Sequence, residues 1–181
     1  MNKKVRWITE TAILLALLVT LQALTKPLGQ LVTGSCVNAL LAIAALVAGT
    51  ASGITIALIS PVLAFLLGIA PQVLTVPAIM VGNCVYVVLL ALLADKSGKN
   101  LARQAVAWVT AAAAKFAVLY AVVVWLICGV MAPSLLAAGT MKEPMLKVLP
   151  ATFSWPQLVT ALIGGAVALA IFPLLRKALK K

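Results

Sequence analysis

The chain has 181 residues, 65% of them hydrophobic and only 9% charged, with 14 Lys and Arg against 3 acids for a formal net charge of +11. A soluble domain carries about a quarter charged residues, so this composition excludes a water-soluble enzyme or ATPase domain and points to a protein embedded in a bilayer. The basic residues stand at the ends of apolar runs rather than on one amphipathic face, so the charge reports topology and not a nucleic-acid surface.

In chain order, the first apolar run covers residues 7–24 and stops at the turn signal Thr25-Lys26-Pro27-Leu28-Gly29. Its basic flank resembles that of a signal peptide, but the apolar stretch lacks a small-residue cleavage site and is expected to be retained as a membrane helix. A second span covers 31–48. A third, 54–70, follows the Gly49–Gly53 stretch and carries Ser60-Pro61 near its centre, where a kink is expected. The fourth, 73–94, ends at Asp95-Lys96-Ser97-Gly98-Lys99-Asn100; the fifth covers 104–132 and the last 155–175. Each approaches or exceeds the roughly 17 to 25 residues that cross a membrane. The expected fold is all-α: a single integral membrane bundle of six transmembrane helices spanning residues 1–181.

Topology follows from the flanking cations. Lys3, Lys4, Arg6, Lys96, Lys99, Arg103, Arg176, Lys177, Lys180 and Lys181 fall on one side, Lys26, Lys142 and Lys147 on the other. The richer side is cytoplasmic by the positive-inside rule, which places both termini in the cytoplasm of a multi-pass cell-membrane protein. The outer loop, residues 133–154, is the only long one. Met141, Met145, Leu146, Val148, Leu149 and Phe153 make it apolar enough to pack as a lid. A solvated connector is the competing reading.

Catalytic chemistry is hard to assemble from what remains. Histidine is absent, and the acids are Glu10, Asp95 and Glu143, none expected inside the membrane. Glu10 follows Arg6 by four residues, the spacing of a surface helix pair. No carboxylate pair, Ser–His nucleophile or phosphate-binding glycine loop is present. Cys36, Cys84 and Cys128 are scattered without metal-ligand or disulfide spacing. The chain is expected not to be an enzyme and to need neither cofactor nor metal.

One cation breaks the apolar pattern. Lys115 sits between AVAWVTAAAA and FAVLYAVVVWLICGVMA, and a charge in the bilayer core is costly unless paired or hydrated. Twelve residues beyond Arg103, it lies about 18 Å from the inner edge; Asn83, eleven beyond Gln72, lies about 16 Å from the outer edge, at 1.5 Å per residue. Both fall near the midplane of a core about 30 Å thick, as the floor of a binding pocket would. Two readings stand open: Lys115 receives an anionic ligand, or it snorkels to water from a shorter span. Asn83 likewise serves the pocket or a helix–helix hydrogen bond. Gln22, Asn38, Gln72, Tyr86, Tyr120, Trp155 and Gln157 are candidate walls above that floor. Trp155 and Trp125 are equally candidates for the interfacial aromatic belt. Small-residue spacings, Ala12-x-x-x-Ala16 on the first span and Ala161-x-x-x-Gly165 with Gly164-x-x-x-Ala168 on the last, permit close helix approach.

The run TAILLALLVTLQ, followed by VNALLAIAALVAGTASGITIALISPVLAFLLG, together with Ala12-x-x-x-Ala16, resembles the S components of energy-coupling factor (ECF) transporters over essentially the whole chain. The resemblance implies a membrane-embedded subunit of an ATP-driven importer that captures a vitamin or related small micronutrient from outside. It implies docking on a transmembrane coupling subunit and two cytoplasmic ATPases, with Ala12 and Ala16 forming the docking surface. It also places the pocket among the fourth to sixth spans and the outer loops. The net basic outer half favours an anionic or carboxylate-bearing cargo. The alternative is a small stand-alone secondary transporter or facilitator, against which the missing intramembrane acid and the lack of internal repeats both argue.

Overall fold

A computed structural model describes residues 2–69, 72–95, 97 and 100–178. Of the expected cytoplasmic cations, Lys96, Lys99, Lys180 and Lys181 lie outside the described residues, as does Ala70 at the end of the expected third span. Among the described residues the fold is all helical: α1 Lys3–Thr25, α2 Gln30–Ile43, α3 Thr50–Leu66, α4 Val76–Leu93, α5 Leu101–Leu119, α6 Ala132–Ala137, α7 Met145–Phe153 and α8 Trp155–Ala178. Two helices continue in wider π-helical form, α2 through Ala44–Ala48 and α5 through Tyr120–Val130.

Local chemistry sets the boundaries. The Asn2 side chain accepts the Lys4 N–H at 3.1 Å and the Asn100 side chain accepts the Arg103 N–H at 2.9 Å, capping α1 and α5. Gly29 and Gly49, at φ 89° and 98°, turn the chain between α1 and α2 and between α2 and α3, a conformation that a Cβ disfavours. Pro61 lies inside α3 as expected and, having no N–H, leaves the Ala57 carbonyl without its helical donor. The expected Arg6–Glu10 pair forms at 2.8 Å.

Among the described residues five helical stretches are long and apolar enough to cross a membrane: Lys3–Leu28, Gln30–Ala48, Val73–Leu93, Leu101–Val130 and Met145–Ala178. The sixth expected span, α3, is an apolar helix of 17 residues, about 25 Å at 1.5 Å per residue. Residues 133–154, read from sequence as a loop, instead carry α6 and α7.

The long helices close into a ring. α1 packs on α2, α2 on α8, α8 on α5, α5 on α4, α4 on α3, and α3 returns to α1. The α2–α8 and α8–α5 contacts require the glycines of α8. A Cβ on Gly164 would stand 2.5 Å from the Ser35 carbonyl oxygen, and one on Gly165 2.2 Å from Trp108 Cδ1. The small-residue spacings of the last span thus serve internal packing. Thr11 and Ser52 hydroxyls, 2.8 Å apart, tie α1 to α3. The bundle has a basic end, with Lys3, Arg6, Arg103, Arg176 and Lys177, and an opposite end covered by α6 and α7.

Two apolar clusters divide the interior. The larger, around Leu18, Leu41, Ile56, Tyr86, Leu90 and Ala111, fills the basic half. The smaller joins Leu119, Val123 and Ile127 of the fifth span to Met141, Leu149 and Phe153 beneath α7. Asn83 stands one turn from Tyr86 on α4, and Lys115 one turn from Leu119 on α5. Their polar groups therefore sit where one apolar cluster gives way to the other.

Candidate functional site

Lys115 is 3% exposed. Its ammonium donates to Asn38 Oδ1 at 2.6 Å and to Asn83 Oδ1 at 2.7 Å, joining α5 to α2 and α4. An ammonium has three donors and no acceptor, so two amide oxygens take two of the three. The Tyr86 ring lies beneath, its centroid 5.6 Å from Nζ, within the range of a cation–π contact. Asn38 is held in turn: its Nδ2 donates to the Gly34 carbonyl at 2.9 Å and to Thr160 Oγ1 of α8 at 3.3 Å. Four helices therefore fix one cation.

Among the described residues no carboxylate balances it. Glu10 pairs with Arg6, Asp95 accepts the N–H groups of Ser97 and Asn100 at the basic end, and Glu143 is exposed ahead of α7. The amides solvate the ammonium but leave its charge uncancelled. The ammonium turns into the bundle rather than reaching along a helix toward water.

Above the cation opens a cavity of about 100 Å³. Its walls come from the C-terminal half of α1 (Gln22), the first half of α2 (Gln30, Thr33), and α3 (Ser60, Pro61, Ala64); α4 adds Ile79, Thr152 and Phe153 of α7 and Gln157 of α8 complete them, and Asn38, Asn83 and Lys115 form the floor. Gln157 Nε2 donates to the Thr152 carbonyl at 3.1 Å, latching α7 to the start of α8. Two buried atoms in this wall, Gln22 Oε1 and Thr33 Oγ1, have no hydrogen-bond partner among the described residues, and such groups are costly unless something else satisfies them.

Of the residues expected from sequence, the structure brings Gln22, Asn38, Asn83, Lys115 and Gln157 to one cavity. Asn38 is in the floor, bonded to Lys115, and not in the wall above it. Tyr86 is fully buried below the floor, with its hydroxyl 3.4 Å from the Ala161 carbonyl, so it supports the ammonium rather than lining the space. Tyr120 and Trp155 are corrected. Tyr120 is 45% exposed with its ring tilted against that of Phe116, and Trp155 is 61% exposed. At 100° per residue, Tyr120 lies about 140° around the helix from Lys115 and Trp155 about 160° from Gln157, which turns both away from the cavity. Gln72 is not there either, since its Nε2 donates to the Thr140 carbonyl at 2.9 Å in the α6–α7 connection.

Sequence reading named Asn38 of α2 but missed Gln30 and Thr33 of that helix and the contribution of α3. Thr33, beside Gly34 and Ser35, and Ser60, beside Pro61, are small polar residues in apolar helices, and that was the available signal. Ala12 and Ala16 lie exposed on the outer face of α1.

No curated protein and no solved structure matches the chain. A family model described as ECF transporter, substrate-specific component, matches residues 6–176. That match, over nearly the whole length of an all-helical apolar bundle, establishes that the chain belongs to the substrate-specific components of ECF transporters, membrane proteins that handle a small-molecule substrate in association with an ECF module.

Proposed function

We propose that this substrate-specific component captures an anionic, carboxylate-bearing vitamin or related micronutrient at Lys115 and passes it inward when docked on an ATP-driven coupling module. It performs no catalysis itself. The observation that carries this reading is the buried, uncancelled charge of Lys115 at the cavity floor. A carboxylate arriving there gains a charge-assisted hydrogen bond in a dry site, while the Asn38 and Asn83 amides keep the ammonium in place without neutralising it.

The bundle sits with both termini in the cytoplasm and α3 as a short sixth span, so the cavity and α7 face outward. Pockets for organic ligands usually enclose about 300 to 1,000 Å³, against about 100 Å³ here. Entry therefore needs α7 to swing outward, as a lid hinged at residues 138–144 and latched by Gln157. Ala12 and Ala16 offer a flat face on α1 for the coupling subunit's helices.

Native mass spectrometry of the purified protein tests the assignment. The parent carries a small anionic molecule, and Lys115→Met, equally folded, loses it. The same molecule bound equally to both proteins overturns the role of Lys115.

A further inference from the structure

At the basic end, on the ring edge opposite the α1–α3 edge, a second groove of about 140 Å³ runs between α5 and α8. Leu101, Gln104, Trp108, Leu169, Phe172 and Pro173 line it. Its chemistry is one-sided. Gln104 is 5% exposed; its Nε2 donates to the Asp95 carbonyl at 2.7 Å, but its Oε1 is buried without a partner among the described residues. Pro173 has no N–H, so the Leu169 carbonyl four residues earlier loses its helical donor. The one donor among the lining side chains besides Gln104, Trp108 Nε1, is taken by the Leu162 carbonyl at 2.9 Å. Among the side chains that line the groove, the polar atom left without a partner among the described residues is therefore an acceptor, which suits an occupant that donates.

Two further features narrow the occupant. Arg103, whose Nε donates to the Leu93 carbonyl at 2.8 Å, adjoins Gln104, and Arg176, whose Nη1 donates to the Ser97 carbonyl, follows Pro173 within four residues together with Lys177, so cations stand in sequence beside the groove lining. Along the bundle the flanking residues Leu101, Val106 and Leu174 are 78%, 62% and 69% exposed, an apolar wall suited to a hydrocarbon chain. Together these call for an anion, a hydrogen-bond donor beside it and an apolar tail. Basic pockets between membrane helices hold anionic lipid headgroups in this way.

We infer that the α5–α8 groove is a seat for one phosphatidylglycerol: its phosphate beside Arg103 and Arg176, a glycerol hydroxyl donating to Gln104 Oε1, and an acyl chain along Trp108 and Phe172. Because this edge lies across the ring from Ala12 and Ala16, the lipid stays bound whether or not the α1 face is covered.

Trp108 is the natural reporter. With Trp7, Trp125 and Trp155 changed to Phe, the full chain is reconstituted in phosphatidylcholine vesicles containing either dibrominated phosphatidylglycerol or dibrominated phosphatidylcholine at equal mole fraction. Brominated phosphatidylglycerol is expected to associate about fivefold more strongly with the Trp108 site, the scale of one basic contact near the surface. Gln104→Leu and Arg103→Gln each lower that preference while leaving quenching by brominated phosphatidylcholine unchanged, which reports an intact bundle. Equal quenching by the two lipids in the parent overturns the seat. So does a preference that survives Gln104→Leu undiminished, which would reflect surface charge alone.

Discussion

Asn38 and Asn83 reach the same ammonium from two helices, their side-chain oxygens 2.6 and 2.7 Å from Lys115 Nζ. The pairing solves a problem that α5 cannot solve alone. A lysine in an apolar helix is expensive, and an acid beside it would remove the cost together with the charge. Two neutral amides lower the cost and leave the charge available to a ligand.

Lys115→Met is expected to weaken cargo binding by about 2 to 5 kcal/mol, the range for removing one partner of a buried charge pair. Lys115→Arg also weakens it, because a planar fork does not fit where a compact ammonium is held between two amides. Without cargo, the Met variant melts at the same or a higher temperature than the parent, since a costly buried charge is gone. Calorimetric titration with the co-purified cargo, alongside thermal unfolding, reads both effects. Binding within about twofold of the parent would return Lys115 to a structural role, because charge pairs of this kind cost far more to break.

Asn83→Asp separates charge from shape. The new carboxylate is nearly isosteric and sits 2.7 Å from Nζ in the parent geometry, so it forms an internal ion pair and competes with an anionic cargo. Affinity should fall at least about tenfold, the scale of one charge-assisted hydrogen bond, while the protein without cargo keeps or gains stability. A cargo that binds Asn83→Asp more tightly is cationic, and the anion assignment fails.

Cargo should quiet α7. Spin labels placed at exposed positions between Pro133 and Ser154 lose mobility on binding, and proteolysis there slows. Labels at Asp95 and Asn100, at the basic end, are unchanged. The Gln157–Thr152 latch makes a further point: Gln157→Ala should speed cargo release more than it slows entry. Equal mobility with and without cargo removes the lid from the mechanism.

Replacing Ala12 or Ala16 by Leu or Trp is expected to block co-purification with the coupling subunit, because a bulky side chain prevents close approach of helix backbones. Both residues are exposed, so cargo binding to the isolated protein should survive. Variants that assemble and transport normally rule out this face of α1 as the contact.

The helical class, the position of most apolar spans and the depth of Lys115 and Asn83 were all legible in the chain. Hydropathy and rise per residue are local properties, and they brought those two residues to one level without any knowledge of packing. The cavity also needed α2 and α3, which periodicity could not place around Lys115. Asn38 is 77 residues from its lysine, and nothing local to α2 says which neighbour it faces. That choice belongs to the ring order, set in part by Gly164 and Gly165, which let α8 close against α2 and α5. The same helical rotation that aims Lys115 and Gln157 inward turns Tyr120 and Trp155 outward, although their place above the expected floor had grouped them. Composition and spacing thus determined that the chain is a membrane bundle with a charge at its middle. Only the tertiary structure decided which side chains meet that charge, because the helix neighbours and facing directions depend on contacts distant in sequence.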